Sequence, residues 1–193
     1  LVPDSLLNNW DTIPYVNFSP AVKGKFKWNT VRELVFSPAV GFRPSTDYSA
    51  ELSDHLLRYT RMKYRLENGK PLSFHTAYLK LQEVKGYWAL SEKIPGQAAL
   101  KLTLDFNYPV DPASTAKLMS LLVDNKPVAY EITTTAVSST LTARVDGFNR
   151  DSLGVVQLRV DIEKGLKCVE SEFLTKEKTE MATLIPSPEK LEI

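Results

Sequence analysis

Tyr15-Val-Asn-Phe-Ser-Pro-Ala-Val-Lys-Gly-Lys-Phe-Lys-Trp28, followed by Leu34-Val-Phe-Ser-Pro38 and Pro44-Ser-Thr-Asp-Tyr48, is the stretch whose reading decides the fold. Apolar and polar residues alternate along it. Phe26 and Trp28 point one way while Lys25 and Lys27 point the other. Period two marks half-buried strands, and strands cut by Pro and Gly build sandwiches. A second stretch repeats the pattern: Leu100-Lys-Leu-Thr-Leu-Asp-Phe-Asn-Tyr-Pro-Val-Asp-Pro112. Leu100, Leu102, Leu104 and Phe106 face inward there, and Pro109 and Pro112 end the ladder because proline donates no hydrogen bond.

Working outward, Leu6, Leu7 and Trp10 suit one short helical turn capped by Asp4 or Ser5. Leu34 and Phe36 share a face, and Tyr48, Ala50 and Leu52 line another strand. The segment from Leu56 to Leu66 fits either period. Asn68-Gly69 is a strong hairpin signal and favours strand, with Leu72 to Val84 as the returning strand. Lys85 to Gln97 shows no period and is the expected place for a domain boundary. Asp111 is expected to cap a short helix with Pro112 at its first position. Thr115 to Leu122 places Leu118, Met119, Leu121 and Leu122 on one helical face. Asp124-Asn-Lys-Pro reads as a turn. Further strands are expected at Ala129–Thr134, Leu141–Val145 and Val155–Ile162, with Leu184 and Ile185 in a last one.

The bulk numbers agree with this picture. The 193 residues allow two domains of roughly 100 residues. Apolar residues make up 43% and charged residues 24%, enough for ordinary cores. The net charge of +1 lacks the basic excess of a dedicated nucleic-acid binder. Arg58, Arg61, Lys63 and Arg65 alternate with Tyr59, Met62, Tyr64 and Leu66, which reads as a ribbon with one solvated basic side. A single cysteine, Cys168, excludes an internal disulfide and a cysteine zinc cluster. No apolar run reaches the length of a membrane span. Leu1-Val-Pro-Asp lacks the charged start and apolar core of a signal peptide.

Residues that could carry chemistry are sparse. His55 and His75, with Asp47, Glu51 and Asp54, show no metal-ligand spacing. Ser37, Ser73 and Ser152 lie outside any Gly-x-Ser-x-Gly elbow, and no Gly-rich phosphate loop is present. Asp105 and Asp111 sit where solvation or capping explains them. Asp124, Asn125, Asp146, Asn149 and Asp151 offer oxygens for calcium without an EF-hand pattern. Tyr15, Trp28, Tyr87 and Trp88 could stack on sugars, against core filling. The expectation is therefore no catalytic, cofactor-binding or metal-binding residue.

The first quoted stretch resembles the Ig-like module near the N-terminus of bacterial alpha-2-macroglobulins. Its phrase runs roughly sP-x-v-x-G-x-f-x-W, then L-x-F-x-P, then P-x-T-x-Y. Leu104-Asp-Phe-Asn-Tyr-Pro-Val-Asp-Pro112 resembles the first strand of the following macroglobulin domain, which carries a similar F-x-x-P-V-D-P phrase. The resemblance implies an all-β chain of two tandem antiparallel β-sandwiches with a short helix in the second. Residues 1–88 would be the Ig-like module, 89–185 the macroglobulin domain, and 186–193 an exit linker. It also implies a non-catalytic scaffold in a large periplasmic or cell-envelope protein, lipid-anchored in its full-length form. Such proteins trap proteases with a cleaved bait region and often an internal thioester. The thioester needs Cys-x-Glu-Gln. Cys168-Val-Glu-Ser171 puts Ser171 where the amide must stand, so that bond cannot form here. The module normally opens with a strand ahead of Leu1-Val-Pro, so the expectation is an unpaired edge in domain one, open to strand addition. The implied partners are neighbouring domains and target proteases. The competing expectation is an Ig-like adhesion or glycan-binding module using Tyr87 and Trp88.

Overall fold

The structure is a computed structural model, and it describes residues 2–59 and 70–188. It is mostly β, with antiparallel strands in four small sheets, consistent with two β-sandwich domains. The chain divides into two compact units between Ala77 and Tyr78.

The first unit holds β1 (Trp10–Asp11), β2 (Val16–Ser19), β3 (Gly24–Thr30), β4 (Glu33–Pro38), β5 (Asp47–Leu52) and β6 (Leu72–His75). They form two three-stranded sheets, ordered β1-β3-β4 and β2-β5-β6. Short 3-10 turns occur at Asp4–Leu6 and Asp54–Tyr59, and the first has no side-chain cap. The core is aromatic. Tyr15 is fully buried and meets Phe26 and Trp28 edge-on, with centroids 5.7 and 5.6 Å away. Phe36 joins Phe26 to Phe18 at 4.8 and 4.7 Å, and Tyr48 stacks on Phe74 at 5.3 Å. Phe26, Trp28 and Tyr48 are buried as expected, while Phe18, Leu34 and Phe36 are only partly covered. Gly24 is required by packing: a Cβ there would meet the Ser37 carbonyl and the Phe36 ring.

The Pro44–Tyr48 phrase is a built turn. Thr46 Oγ1 donates to the Pro44 carbonyl, and the Thr46 N–H donates to Thr76 Oγ1. The Tyr48 hydroxyl accepts from the Arg43 N–H at 2.9 Å. Its Thr and Tyr thus tie the loop to the sheet. Trp10 and Asp11 pair with Lys27 and Phe26, and Leu7 bridges Trp28, so this edge of β3 is occupied. The expected strand over Arg61, Lys63 and Arg65 and the Asn68-Gly69 hairpin lie outside the described residues.

The second unit holds β7 (Leu81–Leu90), β8 (Gln97–Val110), α1 (Pro112–Leu118), β9 (Met119–Val123), β10 (Lys126–Val128), β11 (Glu131–Ile132), β12 (Ser138–Asn149), β13 (Val156–Ile162) and β14 (Thr179–Ile185). Its two four-stranded sheets are ordered β10-β9-β13-β14 and β11-β12-β8-β7. Leu100, Leu102, Leu104 and Phe106 of β8 meet Leu158, Val160 and Ile162 of β13 in one buried cluster. The boundary expected after Trp88 falls inside β7, which pairs with β8 from Leu81 opposite Phe106 to Leu90 opposite Ala98. A register shift between Leu81 and Glu83 reverses the strand's phase, so Val84, Gly86 and Trp88 face inward. That shift, with Gly86, hid the strand from a search for simple alternation. A Cβ on Gly86 would lie 2.7 Å from Ile185 Cδ1 and 2.9 Å from Leu102 Cδ2.

The helix begins as expected. Asp111 accepts from the Ser114 N–H at 2.8 Å, and Pro112 opens the first turn. It ends sooner than expected, because Met119 to Val123 is a strand. Leu118, Met119, Leu121 and Leu122 fit a helical face, but Met119, Leu121 and Val123 also alternate, and pairing with β13 selects the second period. Asp124 and Asn125 form the two-residue hairpin turn, with φ of 47° and 62°. The strand expected at Ala129–Thr134 shortens to β11, and the last strand starts at Thr179, ahead of Leu184.

Candidate functional site

Many of the residues singled out for chemistry are engaged in local structure. In the first unit, Asp47 stands opposite His75 in the β5–β6 register, and His75 Nδ1 lies 2.9 Å from the Thr76 carbonyl oxygen. His55 lies on the second 3-10 turn, where its N–H meets Ser53 Oγ. The two histidines line separate shallow hollows of about 480 Å³ (His75) and 630 Å³ (His55). Among the described residues, no group of three or more His, Cys, Asp or Glu side chains could hold a metal ion.

In the second unit the acidic residues serve turns and sheets. Asp111 accepts from both the N–H and the hydroxyl of Ser114, and these bonds hold its carboxyl below its ordinary value. Asp105 accepts from Thr140 Oγ1 at 2.6 Å. Asp124 Oδ1 accepts from the Gln157 N–H, and Asn149 Oδ1 accepts from the Asp151 N–H. Asp146 accepts from Ser91 Oγ at 2.7 Å and lies 2.9 Å from Arg144 Nε. In the calcium-like spacing of Asp146, Asn149 and Asp151, the first two side chains thus serve an ion pair and a turn.

Cys168 is buried and forms an isolated bridge with Val110. Burial pushes its thiol up, away from the thiolate that a nucleophile needs. Glu170 takes φ of 68° and the Ser171 N–H returns to the Cys168 carbonyl, so Cys168-Val-Glu-Ser171 is a tight turn.

The neighbouring aromatics part company, as adjacent residues on a strand must. Trp88 is 7% exposed and packs edge-on against Phe148, whereas Tyr87 is 58% exposed. Tyr87 borders a cleft of about 300 Å³ on the outer face of the β11-β12-β8-β7 sheet, with Glu92, Lys101, Thr103, Thr142 and Arg144. Charges there are mutually paired. Arg144 reaches Glu131 at 2.9 Å and Glu92 at 3.4 Å. Lys101 binds Glu92 at 2.7 Å, and Lys93 binds Glu131 at 2.6 Å. The hydrogen bond raises the Lys101 ammonium's pKa and lowers that of Glu92. Sequence reasoning named Tyr87 but missed this network, because its members come from four separate segments that only the sheet register brings together.

Comparison with known proteins gives two distant relatives. The chain is 27% identical over 109 residues to the alpha-2-macroglobulin of Pasteurella multocida, covering 55% of this chain and 6% of that protein. It is 29% identical over 112 residues to the alpha-2-macroglobulin homolog of Yersinia pestis, covering 58% of this chain and 5% of that protein. The chain therefore spans about one-twentieth of the length of these curated relatives. No family model matches it, and no solved structure matches it. Among the described residues, no helix is long and apolar enough to cross a membrane.

Proposed function

We propose that this chain is a non-catalytic scaffold region of a larger alpha-2-macroglobulin-like protein of the bacterial envelope. The observation that carries the reading is the 27–29% identity to two bacterial alpha-2-macroglobulins over more than half of the chain. In this reading the first unit is the Ig-like module and the second is a macroglobulin domain. Their rigid sandwiches hold the parts of the parent that meet a protease. The parent lies in the periplasm or on an envelope membrane, held by a lipid anchor, and takes part in protease trapping and inhibition. Target proteases would engage downstream regions.

The local roles of the polar residues support a scaffold. Asp111 caps, Asp124 closes a hairpin, Asp146 joins an ion-pair network, and the thiol of Cys168 is buried. The phrases that carry the resemblance also have structural uses here: Trp28 and Tyr48 fill the aromatic core, and Thr46 fastens a loop.

An antibody raised against this chain tests the reading in fractionated source cells. The expected result is a band far larger than 21.7 kDa in the envelope fraction. A band of the chain's own size in the cytosol would overturn it.

A further inference from the structure

We propose that the outer face of the β11-β12-β8-β7 sheet binds a neutral oligosaccharide, with Tyr87 as the stacking platform. The inference goes beyond the scaffold role and stands on the register of this one sheet. Tyr87 pairs with Lys101, Lys101 with Arg144, and Arg144 with Glu131. These four residues form a row across all four strands. A second row runs through Lys85, Thr103 and Thr142, and Thr133 Oγ1 lies 2.7 Å from Thr142 Oγ1. A third runs through Glu83, Asp105 and Thr140. Alternation sends the large apolar residues of these strands to the other face and leaves only Ala89 and Ala99 among the donors and acceptors on this one, beside the exposed ring of Tyr87.

Two features select the ligand class. The first is charge. Lys93, Lys101 and Arg144 are matched by Glu92, Glu131 and Asp146, at 2.6 to 3.4 Å. A charged ligand would have to displace a partner that is already in place, whereas a polyol can hydrogen-bond to paired charges and to threonine hydroxyls without breaking them. The second is shape. Tyr joins an apolar ring face to a polar tip, which suits the apolar face and hydroxyl rim of a pyranose. The Tyr87–Glu131 row spans three strand spacings, about 14 Å, which is room for several sugar units. The cleft beside it holds about 300 Å³.

The test is a titration of the whole isotope-labelled chain with cellotetraose, chitotetraose and, as a charged control, tetragalacturonate, read by backbone amide shifts. At least one neutral tetrasaccharide is expected to give saturable shifts confined to β7, β8, β11 and β12. Tyr87→Ala and Thr103→Val should each weaken that binding, the first about tenfold or more. Both variants should keep the wild-type spectrum elsewhere, because Tyr87 is exposed and Thr103 lies on the outer face. Trp10→Ala, which removes an exposed aromatic of the first unit, should leave binding unchanged. No saturable shift with either neutral sugar, binding that survives Tyr87→Ala, or tighter binding of tetragalacturonate would overturn the proposal.

Discussion

The indole of Trp88 meets the ring of Phe148 edge-on, with centroids 4.9 Å apart and planes at 78°. This contact places Trp88 in the core of the second sandwich and removes it from any surface role. Trp88→Ala should therefore destabilise that unit by about 3–5 kcal/mol. Tyr87→Ala, one residue away on the opposite face, should stay within about 0.5 kcal/mol of wild type. Urea unfolding followed through amide exchange in β8 separates the two. In the first unit, Trp28→Ala should cost about 3–5 kcal/mol, since Trp28 packs against the fully buried Tyr15. A change near zero at either tryptophan would refute its placement.

The two packed glycines should differ in how badly they tolerate a methyl group. Gly24→Ala drives Cβ into the Ser37 carbonyl and the Phe36 ring, and a paired backbone has little room to retreat. Gly86→Ala meets the tips of Ile185 and Leu102, which can shift at a cost of about 1–3 kcal/mol. Thermal melts should rank Gly24→Ala as the more damaging in its own unit. Equal tolerance of both would contradict the packing described.

Asp111 ties helix stability to pH. Its hydrogen bonds from Ser114 hold the folded-state pKa below the ordinary value. A depressed carboxylate stabilises fully above its unfolded pKa, about 3.9, and that contribution fades as pH falls through the folded value. Protection of the α1 amides should thus be steady from neutral pH to about 4 and decline below it. Asp111→Asn keeps an acceptor and should flatten this dependence. Asp111→Ala should lower protection at every pH.

Arg144 is the hub of the outer-face network, since among the described residues it alone touches Glu92, Glu131 and Asp146. Its side chain is mostly buried, whereas that of Lys93 is half exposed. Arg144→Met should lower the melting temperature of the second unit and loosen the 91–96 hairpin loop. Lys93→Met should do little, because exposed pairs contribute weakly. Similar effects from both would show that the network is not organised around Arg144.

Much of this fold was legible where alternation was clean. Leu100 to Phe106 and Leu158 to Ile162 show an unbroken period of two, and each inward residue is buried. The Asp111-Pro112 helix start was legible because capping is local chemistry. Where tertiary pairing decided, the sequence was ambiguous. Met119 to Val123 fits both periods, and only its register with β13 makes it a strand. β7 changes phase at a register shift and carries Gly86, so its period does not show. The candidate site was half legible. Tyr87 stood out as an aromatic, but its side of the strand depends on that same phase. The Lys101–Arg144–Glu131 row depends on strand order, which no local pattern specifies.

The proposed role in protease trapping is tested most directly on the larger alpha-2-macroglobulin-like protein that the proposal implies. The purified protein is incubated with trypsin and separated on a native gel. Trypsin is expected to migrate with the protein after one or a few cleavages, active on a small peptide substrate yet shielded from a large protein substrate. Trypsin that runs free and keeps full activity on the protein substrate would contradict it.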